Sequence, residues 1–134
     1  MNNNIEIDFP AENYFLTLAK PADYDAVSRL TATADPAEVK IPLTTSMIEW
    51  FIHQNPSGQG FLVVARAMDD NTVIGHFLFY PKELMIRSVE SSAATPYLAY
   101  LCTSLYVDAR YRRRGIAESM TLLARELIGR AGGG

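Results

Sequence analysis

The chain has 134 residues, 49% of them hydrophobic, enough to build one domain around a sizeable core. Twelve basic against fifteen acidic side chains leave a net charge of -3, which excludes a broad nucleic-acid footprint and makes any anion site a local one. A single cysteine, Cys102, excludes an internal disulfide or a cysteine-rich metal cluster. The polar start Met1–Asn4 lacks a signal-peptide pattern and no apolar run is long enough to span a bilayer, so a cytoplasmic protein without membrane attachment is expected.

Tyr14 to Ala19 alternates bulky and small residues and predicts a strand, broken by Lys20-Pro21-Ala22-Asp23. A helix follows from Pro21, since proline suits a first helical turn and Asp23 suits the positive helix start. Val27 and Leu30 lie on its apolar face, and it ends between Ala32 and Pro36. A second helix has Thr44 or Thr45 as cap and Met47, Ile48, Phe51 and Ile52 on one face, and Asn55-Pro56-Ser57-Gly58 ends it. Phe61 to Met68 and Val73 to Tyr80 are strands joined by the turn Asp69-Asp70-Asn71, a hairpin. Pro81 to Pro96 is read as a mixed segment with an exposed loop at Ser91–Ala94. Tyr97 to Val107 is a long strand without charge, expected at the centre of the sheet. The last helix opens at Gly115 with Ile116, Ala117, Met120, Leu123, Ala124, Leu127 and Ile128 on one face, and fades into Ala131–Gly134.

The order is β-α-α-β-β-β-α, an α/β (α+β) domain with a mixed, mainly antiparallel sheet and no doubly wound core, because the three later strands lack helices between them. Its most informative stretch is Val107-Asp108-Ala109-Arg110-Tyr111-Arg112-Arg113-Arg114-Gly115-Ile116-Ala117, where an apolar strand runs into a basic, glycine-punctuated turn that opens a helix. The first amides of a helix have no intrahelical acceptor, the helix dipole adds positive charge there, and glycine admits a ligand close to the backbone. Such a turn suits phosphate.

Arg112, Gly115 and Ala117 fit the pattern R/Q-x-x-G-x-G/A, and with the strand before it and the helix after it this segment resembles the acetyl-CoA-binding motif of GNAT-type N-acetyltransferases. The element order from Tyr14 onward agrees, so the resemblance covers the whole chain, its specific part being Leu105 to about Ser119. Ala109 departs from the proline frequent in that family. The resemblance implies acetyl-CoA as acetyl donor, no metal, and an amine acceptor on a small molecule or peptide. It implies that backbone amides from Arg112, Arg113, Arg114, Gly115, Ile116 and Ala117 through Glu118 hold the pyrophosphate, with Arg110 as a further positive charge. Leu105, Tyr106 and Val107, at the end of the family's fourth strand, would offer their backbone to the pantetheine arm.

The resemblance places a carboxylate base near the fourth strand, yet Tyr97 to Val107 contains none; Glu49, Glu83, Glu90 or a water relay are the candidates. The family's acid is a tyrosine beyond a fifth strand, which this sequence does not reach, so the domain is expected to be C-terminally incomplete, with Tyr80, Tyr100 or Tyr106 as substitutes. Cys102 with His53 or His76 is a competing nucleophile pair, against a plain reading of Cys102 as a small core residue, His53 as a capping or surface residue and His76 as facing solvent, with lining of the acceptor cleft as its other role. Met47, Trp50 and Phe51 either pack inward or line the acceptor site. The expected protein is thus an N-acetyltransferase; the alternative is a module binding CoA or another phosphorylated ligand without transfer. An unpaired fourth-strand edge would favour a homodimer or higher oligomer, with neither nucleic acid nor membrane as partner.

Overall fold

The computed structural model describes residues 7–9, 13–87, 90 and 93–131. Five strands form one sheet in the order β1-β2-β3-β4-β5, with β1 at Ile7–Phe9, β2 at Tyr14–Leu18, β3 at Phe61–Ala67, β4 at Val73–Arg87 and β5 at Ala94–Val107. Every pairing among them is antiparallel. The α/β order expected from sequence is present, preceded by β1, which the polar N-terminal sequence did not signal.

A short 3-10 turn at Pro21–Asp23 leads into α1, Tyr24–Ala32. The carboxylate of Asp23 accepts from the Lys20 amide at 2.8 Å and from Arg66 Nη2 at 2.6 Å, which joins the helix start to β3. α2, Thr45–Glu49, is capped by Thr44, whose hydroxyl accepts from the Met47 amide, and widens into a π-helical turn over Trp50–Gln54. That turn crosses Gly60 so closely that a Cβ there would lie 2.3 Å from the Phe51 carbonyl oxygen. α3, Ile116–Arg130, follows Gly115 as its N-cap.

The helices cover opposite faces of the sheet. On one face α3 packs Ile116, Met120, Leu123 and Leu127 against Leu16, Val63, Phe77 and Phe79. Each such side chain contributes about 2 kcal/mol by its removal from water. Ser119 adds a polar tie, its hydroxyl 2.8 Å from that of Tyr14. On the other face α1 and α2 place Tyr24, Val27, Ile48 and Ile52 over Leu62, Val64 and Leu78. β3 and β4 are therefore enclosed from both sides.

Three expectations are corrected. Tyr97–Val107 belongs to a strand at the edge of the described sheet, because β4 flanks it on one side only; its lack of charge does not make it central. Pro81 to Pro96 is for the most part strand: β4 and β5 stay paired from Gly75↔Val107 out to Arg87↔Ala94. The expected loop residues Ser91 and Ser92 lie outside the described residues. The outer part of this hairpin, 82–87 with 94–98, is exposed on both faces, so its sequence carries no strand-like alternation of polar and apolar residues. Finally, His76 is fully buried, where a solvent-facing position was expected, because β4 is an interior strand at that point.

Candidate active site

At the end of β5 the chain turns through Ala109–Tyr111 and reaches α3 by way of two left-handed residues, Arg113 at φ 64° and Gly115 at φ 77°. Asp108 stiffens this turn: its carboxylate accepts from the amide, Nε and Nη2 of Arg110, and the Arg110 hydrogen bond holds its pKa below the ordinary value. The left-handed step at Gly115 presents the start of α3 outward. The first hydrogen bond of the helix runs from the Ser119 amide to the Gly115 carbonyl, and helix geometry leaves the amides of Ile116, Ala117 and Glu118 without intrahelical acceptors. Gly115, the N-cap, has no side chain with which to satisfy them, and the space where its Cβ would stand is open for 4 Å.

These amides face a cleft of about 460 Å³. Leu105, Tyr106 and Val107 form its strand side; Arg112, Arg113, Gly115, Ile116, Ala117 and Glu118 form its helix side. Nine of the ten residues singled out from sequence thus share one cleft. Arg114 does not: its guanidinium lies 5.1 Å from the centre of the Tyr111 ring, and it lines a separate depression with Asn13, Met68, Asp69 and Arg110. Neighbouring residues in a twisted turn cannot all point one way, so the four arginines divide, Arg112 and Arg113 to the cleft and Arg110 and Arg114 to the other side.

Glu38 also lines the cleft, and sequence reasoning missed it. It belongs to the connection between α1 and α2 and reaches Arg112 Nη2 at 2.5 Å. Arg112 is engaged further, donating from Nε to the Val107 carbonyl at 3.1 Å and lying 5.4 Å from the centre of the Tyr106 ring. No local motif marks Glu38, because 74 positions separate it from its partner.

The other candidates disperse. Glu49 borders a small surface depression beside Tyr24, Glu83 sits on the outer hairpin, and Glu90 stands near the hairpin end; none lines the cleft. Tyr106 does line it, whereas the Tyr80 ring lies tilted against Phe51, centres 4.6 Å apart, and Tyr100 packs against the α3-side core. Trp50 is largely exposed, while Met47 and Phe51 pack against the α1–α2 core. Cys102 opposes Phe79 and so faces the α3 side, away from His76; it is exposed rather than a core residue, because β5 lies at the sheet edge. Burial pushes its thiol pKa up. His53 bonds through Nε2 to the Tyr24 hydroxyl at 3.1 Å, so neither histidine joins Cys102.

His76 instead places Nε2 2.7 Å from Ser104 Oγ across the β4–β5 pairing. Burial lowers its pKa to about 4, and the ring is neutral at physiological pH. Among the described residues its Nδ1 has no hydrogen-bond partner. Just beyond, Leu78 pairs with Ser104 but Phe79 with Cys102, leaving Thr103 as a bulge in β5.

A five-stranded antiparallel sheet whose edge strand runs through an anion-suited turn into a long helix is the frame on which comparison with known proteins can be set. The chain belongs to the acetyltransferase (GNAT) family, whose model matches residues 24–132. Among solved structures it is similar in fold to an acetyltransferase from Vibrio fischeri, with 19% identity, TM-score 0.65 and 89% of each chain covered. It is also similar to the ribosomal-protein-alanine N-acetyltransferase of Brucella melitensis biovar Abortus 2308, with 15% identity, TM-score 0.54, and 90% of this chain and 75% of that one covered. A third is an aminoglycoside acetyltransferase from an uncultured soil metagenomic sample, in complex with sisomicin, at 15% identity and TM-score 0.57, covering 92% of this chain and 75% of that one. No curated protein sequence matches the chain. Among the described residues no group of three or more metal-ligating side chains is present, and no helix is long and apolar enough to cross a membrane.

Proposed function

We propose that this protein transfers an acetyl group from acetyl-CoA to a primary amine of a small molecule or peptide. The observation that carries this reading is the meeting of the open α3 amides with the end of an edge strand in one cleft. When bound, acetyl-CoA supplies the thioester acyl group. The amides of Ile116, Ala117 and Glu118 would hold its pyrophosphate, reinforced by the α3 dipole and by Arg113. The open space at Gly115 suits this role, since any side chain there would project into the cleft. The outward backbone of Leu105–Val107 would accept the pantetheine arm as a sheet edge accepts another strand. Oriented in this way, the neutral amine would be positioned for attack on the thioester carbonyl; the C–N bond forms as the C–S bond breaks, and the proton lost from nitrogen goes to the departing thiolate.

A second reading, a CoA-binding module without transfer, is favoured by one observation: Glu49, Glu83 and Glu90 all lie away from the cleft. Calorimetry with CoA and thiol release from acetyl-CoA across an amine panel separate the two. CoA binding with acceptor-dependent thiol release supports the transferase; binding without release under any amine supports the module. Gly115→Asp adds a carboxylate at the helix start and should weaken CoA at least tenfold. Undiminished affinity in that variant would refute the cofactor seat itself. The uncharged β5 edge is where a second copy would pair, and light scattering of the purified protein tests that oligomer.

A further inference from the structure

We infer that the Ser104 hydroxyl, held by His76, is a hydrogen-bond donor to the acyl carbonyl of a ligand that follows β5 inward from the cleft. The inference rests on the acetyl-CoA reading and extends it to the reacting group. Ser104 lies just outside the cleft lining, directly preceding Leu105-Tyr106-Val107, the strand side of the cleft, and it stands beside the Thr103 bulge. Its side chain shares a strand face with Tyr106, two residues on, and is half-buried, so it remains open to a ligand.

His76 determines which way the hydroxyl points. A neutral imidazole has one N–H and one lone pair. If the proton sat on Nδ1, a fully buried N–H would lack an acceptor, a rare and unfavourable arrangement. With the proton on Nε2, that N–H donates to Ser104 Oγ over the 2.7 Å separation, and only the Nδ1 lone pair goes unused. Ser104 then receives a hydrogen bond and keeps its own proton for a further partner. A hydroxyl fixed in this way needs no reorganisation when charge develops on a carbonyl oxygen. Ser104 is the residue that would touch the substrate, and His76 is its positioning residue. No proton changes owner in this contact.

Infrared difference spectroscopy with acetyl-CoA labelled by 13C at the thioester carbonyl reads the bond directly, alongside the dissociation constants of acetyl-CoA and CoA. In the wild-type protein the carbonyl band should lie below its position for free acetyl-CoA. Ser104→Ala should return it toward that position and weaken acetyl-CoA by about two- to tenfold while leaving CoA, which has no acyl carbonyl, unchanged. Ser104→Thr should restore both. His76→Gln keeps an N–H at the Nε2 position and should preserve the band; the Ser104 variants decide the matter if His76→Gln fails to fold. Independently, the 15N shifts of His76 should show the proton on Nε2. A band unmoved by Ser104→Ala in a protein that binds acetyl-CoA, or a proton on Nδ1, overturns this inference and leaves the cofactor reading intact. A folded wild-type protein that binds neither acetyl-CoA nor CoA overturns the cofactor reading, and this inference with it.

Discussion

The Arg112 guanidinium lies 2.5 Å from the Glu38 carboxylate, so the connection between α1 and α2 is tied directly to the turn that opens α3. Both side chains are more than a third exposed, which limits what the pair adds to stability. Its effect falls on the cleft, where Glu38 sets a negative charge beside amides suited to anions.

Glu38→Gln should therefore raise CoA affinity by about three- to tenfold at low salt, because a repulsive charge is removed and Arg112 is released. The gain should shrink as ionic strength rises, and the thermal midpoint should change little. Calorimetric titration at two salt concentrations checks this; weaker CoA binding in the variant would mean that Glu38 organises the cleft rather than opposing the anion.

Gly60→Ala should be severely destabilising. Its Cβ would stand 2.3 Å from the carbonyl oxygen and 2.9 Å from the carbonyl carbon of Phe51, backbone atoms that can yield only if the π-helical turn moves. A loss of about 3 kcal/mol or more is expected in denaturant unfolding. Gly129→Ala is the contrast: it lies inside α3 with nothing within 4 Å of the new methyl, and a gain of about 0.5–1 kcal/mol should follow from helix propensity. Similar effects at the two positions would contradict the packing described at Gly60.

His76 should make stability depend on pH. Burial holds its folded pKa near 4, below the ordinary value of 6.5, so between these limits the unfolded chain binds the proton more readily. The stabilisation is complete above about pH 6.5 and declines as the pH falls toward 4, by on the order of 3 kcal/mol. Asp23 and Asp108, whose pKa values are lowered, act in a separate window below 3.8. Denaturant midpoints measured between pH 4.5 and 7 should slope in the wild-type protein and flatten in His76→Gln. Equal slopes would exclude His76 as the source.

Asp23→Ala should cost about 2–4 kcal/mol in chemical unfolding, since it strands Arg66, whose side chain is only 14% exposed. Burial pushes the Asp23 carboxyl up, but the Arg66 and Lys20 hydrogen bonds outweigh it and the net shift is downward. Asp25→Ala serves as control, because its ion pair with Arg29 is exposed and should contribute little. A loss at position 23 no larger than that at position 25 would argue against the buried pair.

The turn from Val107 to Ala117 was legible because its chemistry is local: a strand end, a glycine able to take φ 77°, and a helix start lie within a dozen residues. Glu38 was not, because its partner is brought near only by the fold. His76 was misread for a related reason. Gly75-His76-Phe77 reads as strand in any sheet, but only the sheet order says that helices enclose this strand on both faces. The division of the arginines, with Arg114 turned onto Tyr111, likewise depends on a left-handed step at Arg113 that residue type does not disclose.

β4 and β5 hold the cleft at one end, near Gly75↔Val107, and run out to an exposed ribbon at the other, near Arg87↔Ala94. Among the described residues, that ribbon beyond Pro81 has no further paired strand and no helix over it, so apart from the Glu83 amide, which donates to Ser57 Oγ at 3.3 Å, its backbone amides are guarded by two strands alone. The ribbon should consequently open and close many times for each unfolding of the domain. Amide hydrogens from Leu84 to Arg87 would exchange with solvent far faster than those from Ile74 to Phe79, along a single unbroken strand.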